Sequence, residues 1–321
     1  VTFAKLGLVV TDEQHRFGVG QRAALAAKAN GTPHVLVMSA TPIPRTLALI
    51  IYGDLDVSVV DELPPGRSPV ETYVVGEDKR QRMYNFVRKL VGEGRQVYMV
   101  CPAVEEGEAD GEEPGPGGPA ADLKAAVTYA QTLQTQVFPD LRVGLVHGKM
   151  KSKEKDAVMT AFAAGKLDVL VSTTVIEVGV DVPNAALMIV ENADRFGLSQ
   201  LHQLRGRVGR GKHQSYCVLV TSTRSQDSRE RLRVLSKTND GFKIAEEDLR
   251  LRGPGDFFGS RQHGLPQLGI ADLAGDMRVL KEAQTAAEEL LRSDPGLTLP
   301  EHAGLLGRVK RLFAEQGDVF N

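Results

Sequence analysis

The chain has 321 residues, of which 42% are hydrophobic and 25% charged, so it can bury two apolar cores and two domains are predicted. A formal net charge of -2 excludes a general attraction to nucleic acid, and contact with DNA therefore requires a local basic patch. The two cysteines, Cys101 and Cys217, stand singly in apolar runs, which excludes a disulfide framework and favours a cytosolic protein. No run approaches the ~20 apolar residues of a membrane span, so a membrane partner is not predicted.

The first two predicted strands end in side chains suited to a ligand site. A strand at 6–10 leads into Asp12 and Glu13, and a strand at 35–38 leads into the hydroxyl-bearing loop 39–41. Short apolar strands are typical of a parallel sheet buried on both faces, and ligands collect beyond the carboxyl ends of such strands. Asp12 is therefore a candidate Mg²⁺ ligand and Glu13 a candidate activator of water. A surface turn at the first position and an ordinary helix N-cap at the second are the structural alternatives.

A proline-rich segment at 61–70 divides the chain and predicts a semi-rigid linker. Beyond it, short apolar runs alternate with helical patterns, which predicts a parallel sheet covered by helices. The predicted strands lie at 70–75, 96–101, 143–146, 169–172, 186–191 and 215–220. The predicted helices among them lie at 78–91, 121–136 and 152–163. The acidic, glycine-rich and proline-rich stretch 104–120 predicts a mobile insert without chemistry of its own.

Two further candidates follow strands of this predicted sheet. Gly148 lies in the turn after the strand at 143–146, and Thr173 follows the strand at 169–172. Backbone amides and hydroxyls at such turns suit contacts with phosphate, either of a nucleotide or of a nucleic-acid backbone. His147, beside the first of them, is as readily a structural turn histidine.

The most informative stretch is 203–210, with arginines at 205, 207 and 210 and glycines between them. A guanidinium has a permanent charge and a planar fork that matches phosphate oxygens, so the stretch predicts a segment that faces a polyphosphate. A solvated basic turn is the alternative. Between Arg205 and Arg261 there are thirteen Lys or Arg residues against seven Asp or Glu, which is the local basic patch. Helical spacing at 225–237 and 242–251 predicts an αα-hairpin there, and further helices are predicted at 277–291 and 300–314.

Four segments resemble motifs II, III, V and VI of superfamily 2 helicases in the right order. They are 12–15, 39–41, 173–183 and 203–210. Longer matches resemble the RecG family: Asp-Glu-Gln-His-Arg-Phe-Gly at 12–18, Ala-Thr-Pro-Ile-Pro-Arg-Thr at 40–46, and Arg-Gly-Pro-Gly-Asp-Phe-Phe-Gly-Ser-Arg-Gln at 252–262. The last of these is similar to the family's translocation motif. The transcription-repair coupling factors share this motor but usually have Glu where Gln14 stands, so they are the alternative family.

The resemblance implies an α/β fold of RecA-like parallel sheets with flanking helices. We expect a partial first helicase lobe at 1–60, the linker at 61–70, a complete second lobe at 71–223, a translocation hairpin and loop at 224–268, and a C-terminal helical tail at 269–321.

The resemblance also implies ATP and Mg²⁺ as cofactors and assigns roles to individual residues. The catalytic residues would be Asp12, which holds Mg²⁺ through water, Glu13, Gln203, Arg207 and Arg210. Asp12, Glu13, Arg207 and Arg210 would also contact the nucleotide, together with His15, Gly179 and Asp181. Coupling between nucleotide and lobe closure would fall to Gln14, Ser39 and Thr41. DNA binding and translocation would fall to Gly148, Thr173, Arg231, Arg252 and Gln262.

The implied function is that of an ATP-dependent helicase that translocates on double-stranded DNA and remodels branched DNA, such as stalled replication forks and Holliday junctions, in recombination and repair. Branched duplex DNA and a single-stranded DNA-binding protein are the expected partners, and the parent is expected to be a monomer in the bacterial cytoplasm, associated with the nucleoid. A non-enzymatic DNA-binding module is the remaining alternative.

One departure from the family pattern concerns the phosphate loop. The sequence contains no Gly-x-x-x-x-Gly-Lys-Thr stretch, and it opens without Met in strand-like sequence. We therefore expect a fragment that lacks the phosphate loop and the wedge domain, and that does not hydrolyse ATP alone.

Overall fold

The computed structural model of the chain contains two compact units. The first comprises Val1–Pro42 with Val60–Ile244, and the second comprises Ile43–Val59 with Ala245–Asn321. The structure describes residues 3, 5–12, 28, 33–39, 58, 60, 62, 67–102, 119–173, 181–252 and 277–316.

A two-stranded parallel sheet in the first unit is formed by β1 (Leu8–Thr11) and β2 (His34–Val37). Val9 and Thr11 are buried, whereas Leu8 and Val10 are exposed. Because successive side chains of a strand point to opposite faces, only one face of β1 is covered. The prediction that this strand is buried on both faces is therefore wrong.

A six-stranded sheet forms the centre of the same unit. Its strands are β3 (Glu71–Val75), β4 (Gln96–Val100), β5 (Val143–Val146), β6 (Val169–Ser172), β7 (Ala185–Val190) and β8 (Tyr216–Val220). Their order is β3-β8-β7-β4-β6-β5, and every neighbouring pair is parallel. The strands β4, β6 and β7 are buried along their whole length, as their continuous apolar runs predict. The predicted α/β class with a parallel sheet is confirmed.

The described helices follow the predicted pattern closely and add one that was not predicted. They are α1 (Arg80–Gly92), α2 (Pro119–Thr132), α3 (Ser152–Ala163), α4 (Leu198–Arg205), α5 (Gln226–Lys237), α6 (Gly241–Arg252), α7 (Met277–Ser293) and α8 (Ala303–Gln316). The unpredicted helix is α4, whose last residues, 203–205, begin the arginine-rich stretch. In the described parts of the chain, no helix is both long enough and apolar enough to cross a bilayer.

The sheet is covered on both faces, which gives three layers. One face packs Val97, Met99 and Ile189 against buried side chains of α1 and α2, among them Met83, Val87 and Ala130. The other face packs Tyr98, Val100 and Met188 against α3, α4 and α5, through Phe162, Leu201 and Leu232. Alternate residues of one strand therefore belong to different cores, as a period of two requires.

The carboxyl ends of the six strands share one edge of the sheet, since all of them are parallel. Glu191, just after β7, is 7% exposed and accepts hydrogen bonds from two nitrogens of Arg80, each at 2.9 Å, and from the Tyr129 hydroxyl at 2.6 Å. Burial raises the pKa of Tyr129 well above its ordinary value, with the neighbouring Glu191 adding to the effect. This cluster fixes α1 and α2 to the end of the central strand.

Several sequence predictions fall outside the described residues. The helices predicted at 21–28 and 43–51 do so almost wholly, as does the acidic insert up to residue 118. The predicted domain boundaries stay predictions.

Candidate functional site

The arginine-rich stretch is held in place by the short helix α4. Leu198, Leu201 and Leu204 recur at spacings of three and are buried against the sheet. The helix ends at Arg205 with Gly206 as its C-cap, and the chain then turns through Gly209, whose φ of +78° lies in the left-handed region that favours glycine. We call residues 205–211 the arginine turn.

Arg205, the first arginine of the turn, points into the protein. Its side chain is 3% exposed, and Nη1 donates to the carbonyl oxygens of Leu235 at 2.7 Å and Thr238 at 2.9 Å. These oxygens lie at the carboxyl end of α5, where helix carbonyls lack partners within the helix and cations are favoured. Arg205 therefore joins α4 to α5. The prediction that stretch 203–210 faces a polyphosphate does not extend to this buried residue.

His202 completes this buried contact. Its Nδ1 lies 2.9 Å from Nη2 of Arg205, and because arginine only donates, the imidazole nitrogen accepts. Burial, with Arg205 and Arg67 nearby, lowers the pKa of His202 to about 4. The imidazole is therefore neutral at pH 7.

Arg210, the last arginine, lies on the exposed side of the turn. Its Nε donates to the Gly206 carbonyl at 3.0 Å, and its Nη1 lies 3.4 Å from Oδ1 of Asp181. The side chains are 35% and 56% exposed, so the ion pair faces solvent. The structure thus brings together two predicted nucleotide-contacting residues that are separated by 28 intervening positions in the sequence.

Arg207 and Arg210 both lie close enough to Tyr98 for their charges to act on its hydroxyl. Burial raises the pKa of Tyr98 to about 12, while the charges of Arg207 and Arg210 act against that rise. Gln203 lies half-buried on α4, one turn before these arginines. Arg207 and Arg210 therefore place guanidiniums at the arginine turn, with Asp181 as a carboxylate beside Arg210, and guanidiniums suit an anionic ligand such as the phosphates of ATP.

Gly211 brings the segment that carries Asp181 against the turn. A Cβ atom at Gly211 would lie 2.2 Å from the carbonyl oxygen of Pro183, closer than real Cβ atoms approach. Glycine is required here because the two backbones are in direct contact.

Arg67 is a residue of this site that the sequence does not reveal, because it lies in the predicted linker 61–70. Its Nη2 donates to the Gly206 carbonyl at 3.0 Å, the same oxygen that accepts from Arg210. The signal available in the sequence is a single cation within the proline-rich segment, which does not by itself predict a ligand. Its part in the site is shown by the hydrogen bond to Gly206, which is 139 positions away in the sequence.

The predicted DNA-contacting residues Gly148 and Thr173 lie at the carboxyl edge of the sheet. They follow β5 and β6, which are neighbours, and the Thr173 amide donates to the Val146 carbonyl at 3.2 Å. Gly148 is exposed and its carbonyl accepts from Nζ of Lys155 at 2.8 Å, whereas Thr173 is buried. In this conformation the side chain of Thr173 is therefore not exposed to a phosphate group.

Arg231 and Arg252 lie on the two helices of the predicted hairpin. Arg231, on α5, donates to the carbonyl oxygens of Phe196 at 2.9 Å and Asp194 at 2.6 Å, which precede α4. Arg252 is the last residue of α6. The first of these arginines thus holds α5 to the chain segment that leads into the arginine turn.

Asp12 and Ser39 follow β1 and β2 at the carboxyl ends of the two-stranded sheet. The Met38 amide donates to the Thr11 carbonyl at 2.8 Å, which extends the pairing to the edge where both residues lie. The remaining predicted site residues lie outside the described residues; they are Glu13, Gln14, His15, Thr41, Gly179 and Gln262.

Comparison with known proteins shows the family of the chain. Residues 79–212 match the helicase conserved C-terminal domain, and residues 238–318 match the C-terminal part of domain 3 of the ATP-dependent DNA helicase RecG. The chain is 57% identical over 297 residues to the ATP-dependent DNA helicase RecG of Synechocystis sp., and 50% identical over 305 residues to that of Bacillus subtilis. The chain belongs to the RecG family.

The RecG matches cover almost the whole chain but only part of each relative. They extend over 92% and 95% of this chain, which spans 34% and 43% of the length of those two relatives. A solved structure of RecG bound to a three-way DNA junction is 47% identical, with a TM-score of 0.64 over 88% of this chain and 34% of that one. A Dbp5 structure from S. cerevisiae, 17% identical with a TM-score of 0.51 over 76% of this chain and 59% of that one, shares the fold alone.

Proposed function

We propose that the chain is part of an ATP-dependent translocase that moves on double-stranded DNA and remodels branched DNA, such as stalled forks and Holliday junctions, in recombination and repair. The observation that carries the proposal is the arginine turn, where the exposed side chain of Arg210, beyond the end of α4, lies beside Asp181. RecG family membership supports it, because the matched relatives are ATP-dependent DNA helicases and a solved RecG is bound to a three-way DNA junction.

The arginine turn offers the charge that phosphoryl transfer requires. Negative charge develops on phosphate oxygens in the transition state, and a guanidinium that neutralises it contributes roughly 10³ to 10⁵ in rate. Arg207 and Arg210 would supply that charge, with Gln203 beside them and Asp181 near the ribose. An exposed ion pair such as Arg210 with Asp181 contributes only about 0–1 kcal/mol, so exchanging the carboxylate for a phosphate costs little.

The first part of the chain would complete the nucleotide site. Asp12 would hold Mg²⁺ through water and Glu13 would orient the attacking water, while bound Mg²⁺ neutralises phosphate charge. His15 and Gly179 would contact the nucleotide. Gln14, Ser39 and Thr41 would couple the site to closure of the lobes.

DNA would contact the carboxyl edge of the six-stranded sheet. Gly148 and Thr173 would hold the phosphate backbone there, which their positions after two neighbouring strands support. Arg231, Arg252 and Gln262 would convert lobe movement into translocation. The bonds from Arg231 to the segment before α4 support this role, because they give the hairpin a direct attachment beside the arginine turn.

The complete protein is expected to act as a monomer in the bacterial cytoplasm, on the nucleoid, with a single-stranded DNA-binding protein as a further partner.

ATP hydrolysis by a full-length protein that carries this chain tests the proposal. With forked DNA, the wild type is expected to hydrolyse ATP, and Arg210→Ala is expected to lose about 10³-fold or more in kcat. Arg82→Ala is the matched control, because Arg82 is exposed on α1. An Arg210→Ala protein that hydrolyses ATP at the wild-type rate would contradict the proposal.

The 321-residue chain alone is expected to show no DNA-stimulated ATPase activity, because its sequence holds no phosphate loop. ATP turnover by the purified chain that disappears in Arg210→Ala would show this expectation to be wrong.

A further inference from the structure

Two arginines from distant parts of the chain meet at one carbonyl oxygen. Nη2 of Arg67 and Nε of Arg210 both donate to the Gly206 oxygen, each at 3.0 Å. The two donor nitrogens are therefore separated by no more than twice that distance. Like charges held this close repel each other, and such an arrangement is stable only when other groups offset the repulsion.

The described charges around Arg67 leave that repulsion only partly offset. Asp181 is the carboxylate beside Arg210, at 3.4 Å, and it is more than half exposed. Burial lowers the pKa of Arg67, Arg210 lowers it further, and Asp181 acts in the opposite direction. Among the residues that the structure describes, these two guanidiniums thus have one solvent-facing carboxylate near them, which leaves one positive charge in excess in this described set.

The backbone that carries Arg67 is fixed to the arginine turn rather than lying loosely over it. The position of a Cβ atom at Gly209 lies 2.8 Å from Cγ2 of Val70 and 3.4 Å from the Ser68 carbonyl. Further along, Gln214 donates to the Pro69 carbonyl at 3.0 Å. Residues 67–70 therefore follow the arginine turn closely, and Arg67 is presented from a constrained segment.

We propose that Arg67 is a further phosphate-binding residue, which acts with Arg210 on the phosphate groups of a nucleoside triphosphate. The assignment rests on the proposed function, since it gives the ATP site of the arginine turn an additional cation from the linker. A phosphate oxygen between the two guanidiniums replaces their mutual repulsion by two charge-assisted hydrogen bonds. A residue of the linker would then respond directly to nucleotide binding.

A purely structural role would also place an arginine on Gly206, because carbonyls at the end of a helix attract cations. The two roles differ in what the loss of charge does. A structural cap affects the melting temperature only, whereas a binding residue affects the affinity for phosphate at temperatures where every variant is folded.

The test is a calorimetric titration of the 321-residue chain with inorganic tripolyphosphate at low salt. Compared with the wild type, Arg67→Met is expected to bind about tenfold more weakly, since a hydrogen bond to a charged group contributes that order of affinity. Arg67→Lys keeps the charge without the planar fork and is expected to retain intermediate affinity, which covers the case that the Met variant fails to fold. Arg82→Met, on the exposed side of α1, is the control and is expected to bind as the wild type does.

Equal tripolyphosphate affinity of Arg67→Met and wild type, or no binding by the wild type, would overturn the assignment. A short DNA duplex forms the second arm of the titration, and a loss confined to the duplex would overturn the assignment to nucleotide phosphate. These outcomes leave the ATPase result for Arg210→Ala unaffected, so the failure of this inference is distinguishable from the failure of the proposed function.

Discussion

Replacing Arg205 by Met should destabilise the six-stranded unit although the residue lies among arginines expected to act on ATP. Its guanidinium donates to the Leu235 and Thr238 carbonyl oxygens at 2.7 and 2.9 Å, with a weaker contact to Oγ1 of Thr72 at 3.4 Å. Each carbonyl left without a donor costs about 1–3 kcal/mol. Removing a buried charge returns part of that cost, so we expect a net loss of about 3 kcal/mol.

Thermal unfolding monitored by circular dichroism measures this effect. For a domain of this size, about 3 kcal/mol corresponds to a fall of roughly 6–12 °C in Tm. The amide protons of α5 should also exchange with solvent faster, because its carboxyl end loses its attachment. Arg233→Met is the control on the same helix, and because Arg233 is exposed we expect a change within about 0.5 kcal/mol.

A free energy of unfolding of Arg205→Met within about 1 kcal/mol of the wild-type value, with Arg233→Met unchanged as expected, would refute this role of Arg205. The guanidinium of Arg205 would then contribute no net stability, and the attachment of α5 to α4 would depend on apolar packing alone.

Three further predictions concern other positions around the six-stranded sheet. Gly211→Ala should lower the free energy of unfolding in urea by about 1–3 kcal/mol, because its Cβ would meet the Pro183 oxygen. Gly92→Ala, with open space around the Cβ position, should be neutral or slightly stabilising. Equal stability of the two variants would contradict the close approach at Gly211. The pKa of His202 is about 4 in the folded protein and 6.5 ordinarily, so the unfolded chain binds the proton first and the stability of the fold falls as the pH drops from 6.5 towards 4. Between pH 7 and pH 5 the wild type should lose about 2 kcal/mol more stability than His202→Asn. Parallel pH profiles of the two proteins would contradict a lowered pKa of His202. Glu191→Gln should cost about 2–4 kcal/mol in the same assay, since Arg80 loses its negatively charged partner and one of the two buried acceptor oxygens becomes a donor. Glu93→Gln on the surface should change the stability little, and a small effect at both positions would argue against the cluster.

The fold around the six-stranded sheet could be predicted from the sequence because its signals are local. Runs such as 169–172 and 143–146 are apolar, short and followed by polar turns, and the strands found there coincide with the predicted ones. The helix α4 was missed because it is only eight residues long, so its three leucines give barely two turns of periodicity.

The candidate site could be predicted only in part, for a physical reason. Arginines at 207 and 210 stand out by composition, but the roles of Arg205 and Arg67 depend on backbone oxygens elsewhere in the chain. Every residue has a carbonyl, so the acceptors at Leu235 and Gly206 have no signature in the sequence. Which arginine is buried and which faces solvent is decided by tertiary contacts.

The strand order of the six-stranded sheet has a consequence for how the protein is made. In the described sheet, β3 pairs with β8 alone, and the two strands are separated by about 140 residues of chain. A ribosome adds ~5–20 residues per second, so β8 follows β3 out of the exit tunnel after roughly 7–30 s. During that interval the nascent chain carries β3 without its neighbour, and the sheet is completed only when the last strand has been synthesised.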